Sequence, residues 1–407
     1  MEDKIYRRNF TLNIFLEGMW GLGVGFVVTT TILSVFVSRF TPSKVAVGLL
    51  FTIPVIGSSI MPVLITYFIR KRRFIKWPMI WLHVAYVATW LAIAVFTRFS
   101  AGMSPKTVLF VFFAIYGAGS ILGGMMAPMY FDYIGKIFPS GRGAYFGIAI
   151  SASSGLSILG AFIAGKYLDR LGFPSGYAAC FFSAFLAQGL SLVFLGCNIE
   201  NENKHAVEEK HSFGDYLVIL KGILKNDRYF LRFLTVQIIL CLSGIAGPFY
   251  GVYADYKLHL TGSMLGGLTM MLVAGQAVAT IILGMLGDYW GHRTSLAVSV
   301  FSAAAAAVLA VFSNSFSMFS IVFFLLGIGG SPAFVSIINM LLEMNETGDR
   351  GSYIALNTTF TAPFAAAAPL IGGLLIKNVS YTFVFMLAAG ILVAGFILLL
   401  SGRGRPS

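Results

Sequence analysis

The sequence predicts an all-α membrane protein with twelve transmembrane helices in two pseudo-symmetric six-helix bundles. Three observations lead there. Of 407 residues, 57% are apolar and only 11% charged, against about 25% charged in an ordinary soluble domain. The apolar residues come in runs of about 20 or more, the length that crosses a hydrocarbon core of roughly 30 Å. A single long polar stretch, 198–228, divides those runs six and six.

Taken in order, each run is bounded by charge or by turn residues. Helix 1 (10–38) follows the short basic segment Met1 to Asn9, and its apolar run is too long for a signal-peptide core and lacks a cleavage site. Helix 2 (44–69) lies between Thr41-Pro42-Ser43 and the cluster Arg70 to Arg73. Helix 3 (76–98) ends at Arg98, and helix 4 (106–133) runs from Lys106 to Asp132. Helix 5 (143–168) follows Arg142, and helix 6 (174–197) starts at Pro174. In the second half, helix 7 (229–256) follows Asp227-Arg228 and helix 8 (261–286) starts at Thr261-Gly262. Helix 9 (293–313) begins at Arg293, helix 10 (316–342) ends before Glu343, helix 11 (350–376) opens on Arg350, and helix 12 (379–401) precedes the basic tail. The domains expected from this are 1–197, a linker at 198–228, and 229–407.

The linker begins with Glu202, Lys204, Glu208, Glu209 and Lys210. It continues with Phe213, Tyr216, Leu217, Leu220, Ile223 and Leu224 at helical spacing, which predicts a short amphipathic helix on the membrane surface. The net charge of +12 sits in short clusters between apolar runs and reads as a topology signal, with no nucleic-acid partner. With both termini on one side, that side carries 20 Lys and Arg and the other carries 8. The excess places both termini in the cytoplasm and the chain in the cytoplasmic (inner) membrane. Cys180, Cys197 and Cys241 have no metal or disulfide spacing, and neither a metal nor another cofactor is expected.

The halves resemble one another. At an offset of 220, Thr41-Pro42-Ser43 meets Thr261-Gly262-Ser263 and Arg73 meets Arg293. At 208, Arg142-Gly143-Ala144-Tyr145 meets Arg350-Gly351-Ser352-Tyr353. A duplicated six-helix unit with parallel halves accounts for both.

Between helices 8 and 9 the sequence reads Gly284-Met285-Leu286-Gly287-Asp288-Tyr289-Trp290-Gly291-His292-Arg293. The spacing G-x-L-x-D-x-x-G-x-R at this position is similar to the signature loop of the major facilitator superfamily, and the resemblance covers the whole chain. It implies a monomeric secondary carrier working by alternating access on a small-molecule solute. Physically, Gly284 allows close helix approach, Gly291 a tight turn, and Asp288 can face a helix N-terminal dipole. Arg293 is expected to pair with Glu343, and Arg73 with Asp132, as gating pairs, with Arg142 and Arg350 in the matching loops. Solvated loop charges that only set topology are the alternative. Loop 2-3 departs from the pattern, because Phe68 and Lys71 replace the Asp and the second Gly.

Helix 11 carries Pro363 and Ala368-Pro369-Leu370-Ile371-Gly372-Gly373, and helix 5 carries Gly160 to Gly165 without proline. These runs suit either a bending gate or small-residue packing. The arginine of helix 4 associated with proton-coupled drug exporters in the superfamily is missing. Gly160 to Lys166 imitates a nucleotide loop, but it lies in a membrane helix, and no catalytic motif identifies an enzyme.

Ionisable groups inside a span are costly and mark function or partnership. Glu17, with Asn13 and Thr31 on the same face of helix 1, is a candidate proton or Na+ site, a structural hydrogen-bonding group, or a carboxylate at the cytoplasmic interface. Gln237, Tyr250, Gln276, Asn339 and Asn357 are candidate solute ligands by the family's central cavity, or interhelical hydrogen-bonding groups. His83 in helix 3 is expected to be structural. A membrane sensor that keeps the fold without transport is the rival to a carrier.

Overall fold

The structure, a computed structural model, describes residues 2–69, 74–138, 142–200, 221–343 and 350–401. Every regular element among them is helical. Among the described residues, eleven helices are long and apolar enough to cross a membrane. They fall on the expected runs, because a span of about 20 apolar residues is imposed by bilayer thickness and can hide its backbone groups only as a helix. The protein is an all-α membrane protein of twelve spans, the tenth being split into Phe316–Gly329 and Ser331–Glu343 at Gly330.

Helix 1 departs from a single rod. It runs Glu2–Gly25, loosens at Phe26 to Val28, passes through a π-turn at Thr29–Leu33, and resumes as Ser34–Phe40. The run Val27-Val28-Thr29-Thr30-Thr31 is β-branched and disfavours regular helix, and the Thr29 carbonyl accepts both the Ser34 N–H of the π-turn and the Ser34 hydroxyl, the latter at 2.6 Å. Helix 7 is helical over Arg228–Leu242, passes through 3-10 turns at Ser243–Ile245 and Gly247–Phe249, then continues as Tyr250–Leu258. Pro248 lacks an N–H and Gly244 and Gly247 weaken the helix there. At the offset of 220, Phe26 to Val28 fall on Ala246 to Pro248, so the duplicated halves are interrupted at the same place.

The chain divides into two compact units: residues 1–42, 53–206 and 251–273 form one, and 43–52, 207–250 and 274–407 the other. In the first, helix 1 packs along helices 5 and 6, and helix 3 along helices 4 and 6. Close approach is made possible by glycine: a Cβ at Gly25 would strike the Ser157 carbonyl, and one at Gly160 the Leu22 carbonyl. Gly160 and Gly165 of that run are thus close-packing positions. In the second unit helix 7 packs on helices 11 and 12, and helix 9 on helix 12. Gly372 lies against the Ile245 carbonyl, and a Cβ at Gly373 would stand 2.7 Å from the Lys44 carbonyl.

The start of the linker is fastened to the first unit. Asn9 exchanges two hydrogen bonds with Ile199, giving Nδ2 to its carbonyl at 2.8 Å and accepting its N–H at 2.9 Å. Asn13 Nδ2 donates to Asn198 Oδ1 at 3.1 Å. Glu200 accepts the N–H of Ile75 at 2.9 Å and of Lys76 at 3.0 Å, capping helix 3, while Lys136 Nζ stands 3.9 Å away. Most of the expected surface helix lies outside the described residues. Its last turn, 221–226, is helical, and Ile223 and Leu224 pack on the Phe230 and Tyr353 cluster of the second unit.

Candidate functional site

Glu17 sits in the first part of helix 1, where Asn9 and Asn13 fasten the helix to the linker end. Opposite it, helix 4 presents Tyr130, whose hydroxyl donates to Glu17 Oε1. The Tyr130 oxygen is also 2.8 Å from the Tyr145 hydroxyl of helix 5, so an acid and two phenols form a chain across three helices. Tyr145 is fully buried, stacked on Phe138 at 4.5 Å, which holds the far end of the chain rigidly.

This chain borders a cavity of about 340 Å³ inside the first unit, between helices 1, 3, 4 and 6. Trp20, one turn beyond Glu17, stacks on Tyr86 of helix 3 with ring centres 5.6 Å apart and planes at 27°. His83 meets the Trp20 ring edge-on at 5.6 Å, and its Nδ1 donates to the Met79 carbonyl at 2.8 Å. Leu16, Met126, Leu192 and Leu195 complete an apolar wall. Among the described residues that line the cavity, Glu17 is the single carboxylate and there is no Lys or Arg. One half-buried acid, phenolic donors and flat aromatic faces can hold a proton, a small cation, or a ring-bearing solute.

The expected polar face of helix 1 is only partly realised. Glu17 lines the cavity, but Asn13 is committed to Asn9 and Asn198. Thr31 is fully buried beyond the helix break and accepts from Thr269 Oγ1 at 2.7 Å. The break at Phe26 to Val28 changes the register, so the 3.6-residue period no longer relates Thr31 to Glu17. His83, expected to be merely structural, lines the cavity with Trp20, Tyr86 and Tyr130, none of which was singled out from the sequence. Aromatic residues in an apolar span carry no signal of their own there. The useful clue was an acid within a span together with phenols inside helices 3 and 4.

In the second unit, the Gln237 side chain is buried and its Nε2 has no hydrogen-bond partner among the described residues, and the same holds for Asn357 Oδ1. Their two helices, 7 and 11, pack together. Gln276 approaches the Gly330 break of helix 10, and Asn339 is half-buried. Tyr250 is buried with its ring 4.7 Å from Phe385, a core position.

The loop charges are arranged differently from expectation. Arg293 does not pair with Glu343: its guanidinium donates through Nε to the Leu399 carbonyl at 2.8 Å, and through Nη2 to the same oxygen. Glu343 faces His292 at 3.8 Å instead. A carbonyl at the end of helix 12 offers the arginine an acceptor that sequence cannot display. Asp132 pairs with Lys136, one turn along helix 4, at 3.1 Å. Arg73 lies outside the described residues, as do the side chains of Arg142 and Arg350. Gly291 has φ +85 and ends helix 8 as expected, but Gly284 has open space around it among the described residues. The tight approach is at Gly287, where a Cβ would stand 2.6 Å from His292 Nδ1. Asp288 is exposed.

Comparison with known proteins bears on the same helices. The family model of the Major Facilitator Superfamily matches residues 15–254 and 233–407. The chain belongs to the Major Facilitator Superfamily. Solved members share its fold over almost the full length. A mutant form of the nucleoside transporter NupG superposes with a TM-score of 0.72 at 11% identity, covering 98% of this chain and 99% of that one. The human organic anion transporter MFSD10 gives 0.63 at 14% identity, covering 97% and 99%. A tetracenomycin C resistance and export protein of Streptomyces glaucescens is 28% identical over 152 residues, 36% of this chain and 28% of its own length. The chain thus spans little more than a quarter of that relative. The superfamily is one of secondary transporters, and the twelve-span, two-unit architecture described above is that of a facilitator.

Proposed function

We propose that the chain is a secondary carrier of the cytoplasmic membrane, with both termini in the cytoplasm. Its sequence halves, 1–197 and 229–407, alternate access to a small organic solute, and Glu17 exchanges a proton during the cycle. The observation that carries this reading is the Glu17 carboxylate bonded to Tyr130 at the edge of a cavity in a membrane-spanning unit. A charge there is costly and is retained where it faces a partner or a wet space. The matched interruptions in helices 1 and 7 support it, since paired breaks in duplicated halves are the usual mark of a transport path. Gln237, Gln276, Asn339 and Asn357 supply further polar groups in the second half, and the likeness to an exporter supports outward movement.

The test is transport by purified protein in proteoliposomes under an imposed proton gradient. Solutes are chosen by their ability to raise its unfolding temperature, because a ligand selective for the folded state stabilises it. Uptake that varies from pH 5 to 8 in the wild type and becomes flat in Glu17→Gln agrees with proton exchange. An unchanged pH profile in that variant rejects it. Ligands that bind but never exchange across the bilayer would reassign the chain to a sensor.

A further inference from the structure

We infer that the cavity of the first unit is a binding site for a monovalent organic cation bearing an aromatic ring, clasped between the Glu17 carboxylate and the faces of Trp20 and Tyr86. The inference builds on the functional reading of Glu17 given above and adds the charge and shape of the ligand.

Charge comes first. Glu17 is the single ionisable acid on the wall, and no Lys or Arg among the described lining residues neutralises it. Lys136, the cation nearest along helix 4, is engaged with Asp132 at 3.1 Å and with Glu200 at 3.9 Å. Tyr130 donates to Oε1, and Oε2 accepts no hydrogen bond from a described residue. A carboxylate with one oxygen anchored and one unclaimed is positioned for an ammonium or a ring-nitrogen cation. An anion would meet it with like charge in a low-dielectric surrounding. A neutral ligand of the same shape would leave the acid without a counter-charge.

Shape follows from the rings. Trp20 and Tyr86 are held in register by stacking 5.6 Å apart, and His83 buttresses Trp20 from the edge. Indole and phenol faces attract cations most strongly where water is scarce. Met126 adds a polarisable, adaptable surface. At about 340 Å³ the space lies near the lower end of ligand pockets, which run from about 300 to 1,000 Å³. It therefore suits a one- or two-ring amine.

The experiment measures equilibrium binding to the full chain, purified in detergent, at fixed pH. It compares N-methylquinolinium with its neutral isostere 1-methylnaphthalene and with the anion 1-naphthoate. The permanent charge of the first removes any ligand titration. The cation is expected to bind about tenfold or more tightly than either rival, and Glu17→Gln to weaken it about tenfold. Gly123→Leu provides a second variant that leaves the acid untouched. A Cβ at Gly123 would stand 3.5 Å from the Tyr86 ring, so a leucine fills the cavity, and it is expected to block binding while the protein keeps its elution profile and unfolding temperature. Displacement of the bound cation by phosphatidylethanolamine but not phosphatidylglycerol would make the native occupant a ringless lipid amine and overturn the ring-bearing part of the proposal. No displacement by either lipid retains it. Naphthoate binding as tightly as the cation, or wild-type affinity in both folded variants, overturns the proposal. Binding without counterflow would leave this site standing and remove the carrier reading instead.

Discussion

Arg39 Nη2 lies 3.1 Å from Asp255 Oδ1, an ion pair that ties the end of helix 1 to the end of helix 7 within the first unit. The same carboxylate oxygen accepts the Leu260 N–H at 3.1 Å. Nearby, Asp169 accepts the Ser263 N–H at 2.9 Å and the Ser263 hydroxyl, and Thr269 bonds to Thr31. Residues 251–273 are held against the first half by these polar links. The Arg39 side chain is 46% exposed, so the pair contributes about 1 kcal/mol or less. Arg39→Gln, which leaves the Asp255 acceptor in place, is therefore expected to raise thiol labelling of Leu260→Cys by up to about fivefold, and Arg39→Lys to keep it near the wild-type level. Leu260 is buried, with 8% exposure. Equal labelling in all variants would deny the pair any role as a latch. The background replaces Cys180, Cys197 and Cys241.

The helix 1 and helix 5 contact offers a sharper stability test. Gly25→Ala drives a methyl into the Ser157 carbonyl, a backbone atom that cannot step aside, whereas Gly155 on helix 5 has nothing within 4 Å of its virtual Cβ. Gly25→Ala is expected to cost about 1–3 kcal/mol by overpacking, and Gly155→Ala to be neutral or slightly stabilising. Fluorescence-detected size exclusion after a heating series compares them, and equal survival would contradict the packing described.

Glu200 caps helix 3 through two N–H groups and faces Lys136 from a side chain only 4% exposed. Glu200→Ala leaves those donors unmatched and is expected to destabilise by about 1–3 kcal/mol, with Glu200→Gln intermediate because one acceptor oxygen remains. Differential scanning fluorimetry in detergent reads both, and a wild-type midpoint for the alanine variant would rule the cap unimportant.

The two glycines of the signature loop are expected to differ. Gly291 at φ +85 is in a region costly for any residue with a Cβ, so Gly291→Ala loses about 1 kcal/mol. Gly284→Ala, in open space among the described residues, leaves the unfolding temperature unchanged. Reversal of that order would show that Gly284 is the tight position after all.

The spans were legible because the bilayer leaves few solutions: long apolar runs must be helices, and Gly291 had to be a turn. Glu17 was legible because a carboxylate in a span demands a reason. The break at Phe26 to Val28 was hidden, since hydropathy does not distinguish Val27-Val28-Thr29 in a helix from the same residues unwound. Without that break, the pattern on one face grouped Thr31 with Glu17. The cavity wall was hidden for another reason: Trp20, His83, Tyr86 and Tyr130 come together only through the packing of helices 1, 3 and 4. Arg293 was paired with Glu343 because sequence shows side-chain charges, while its acceptor is the Leu399 carbonyl, a backbone atom.

Each compact unit contains a piece from the other sequence half, 43–52 in one direction and 251–273 in the other. A chain cut within 201–220 would therefore yield two fragments, each carrying a segment whose packing surface belongs to its counterpart. Such fragments should accumulate poorly when expressed singly and recover only when synthesised together, each supplying the helix end that completes its counterpart's core.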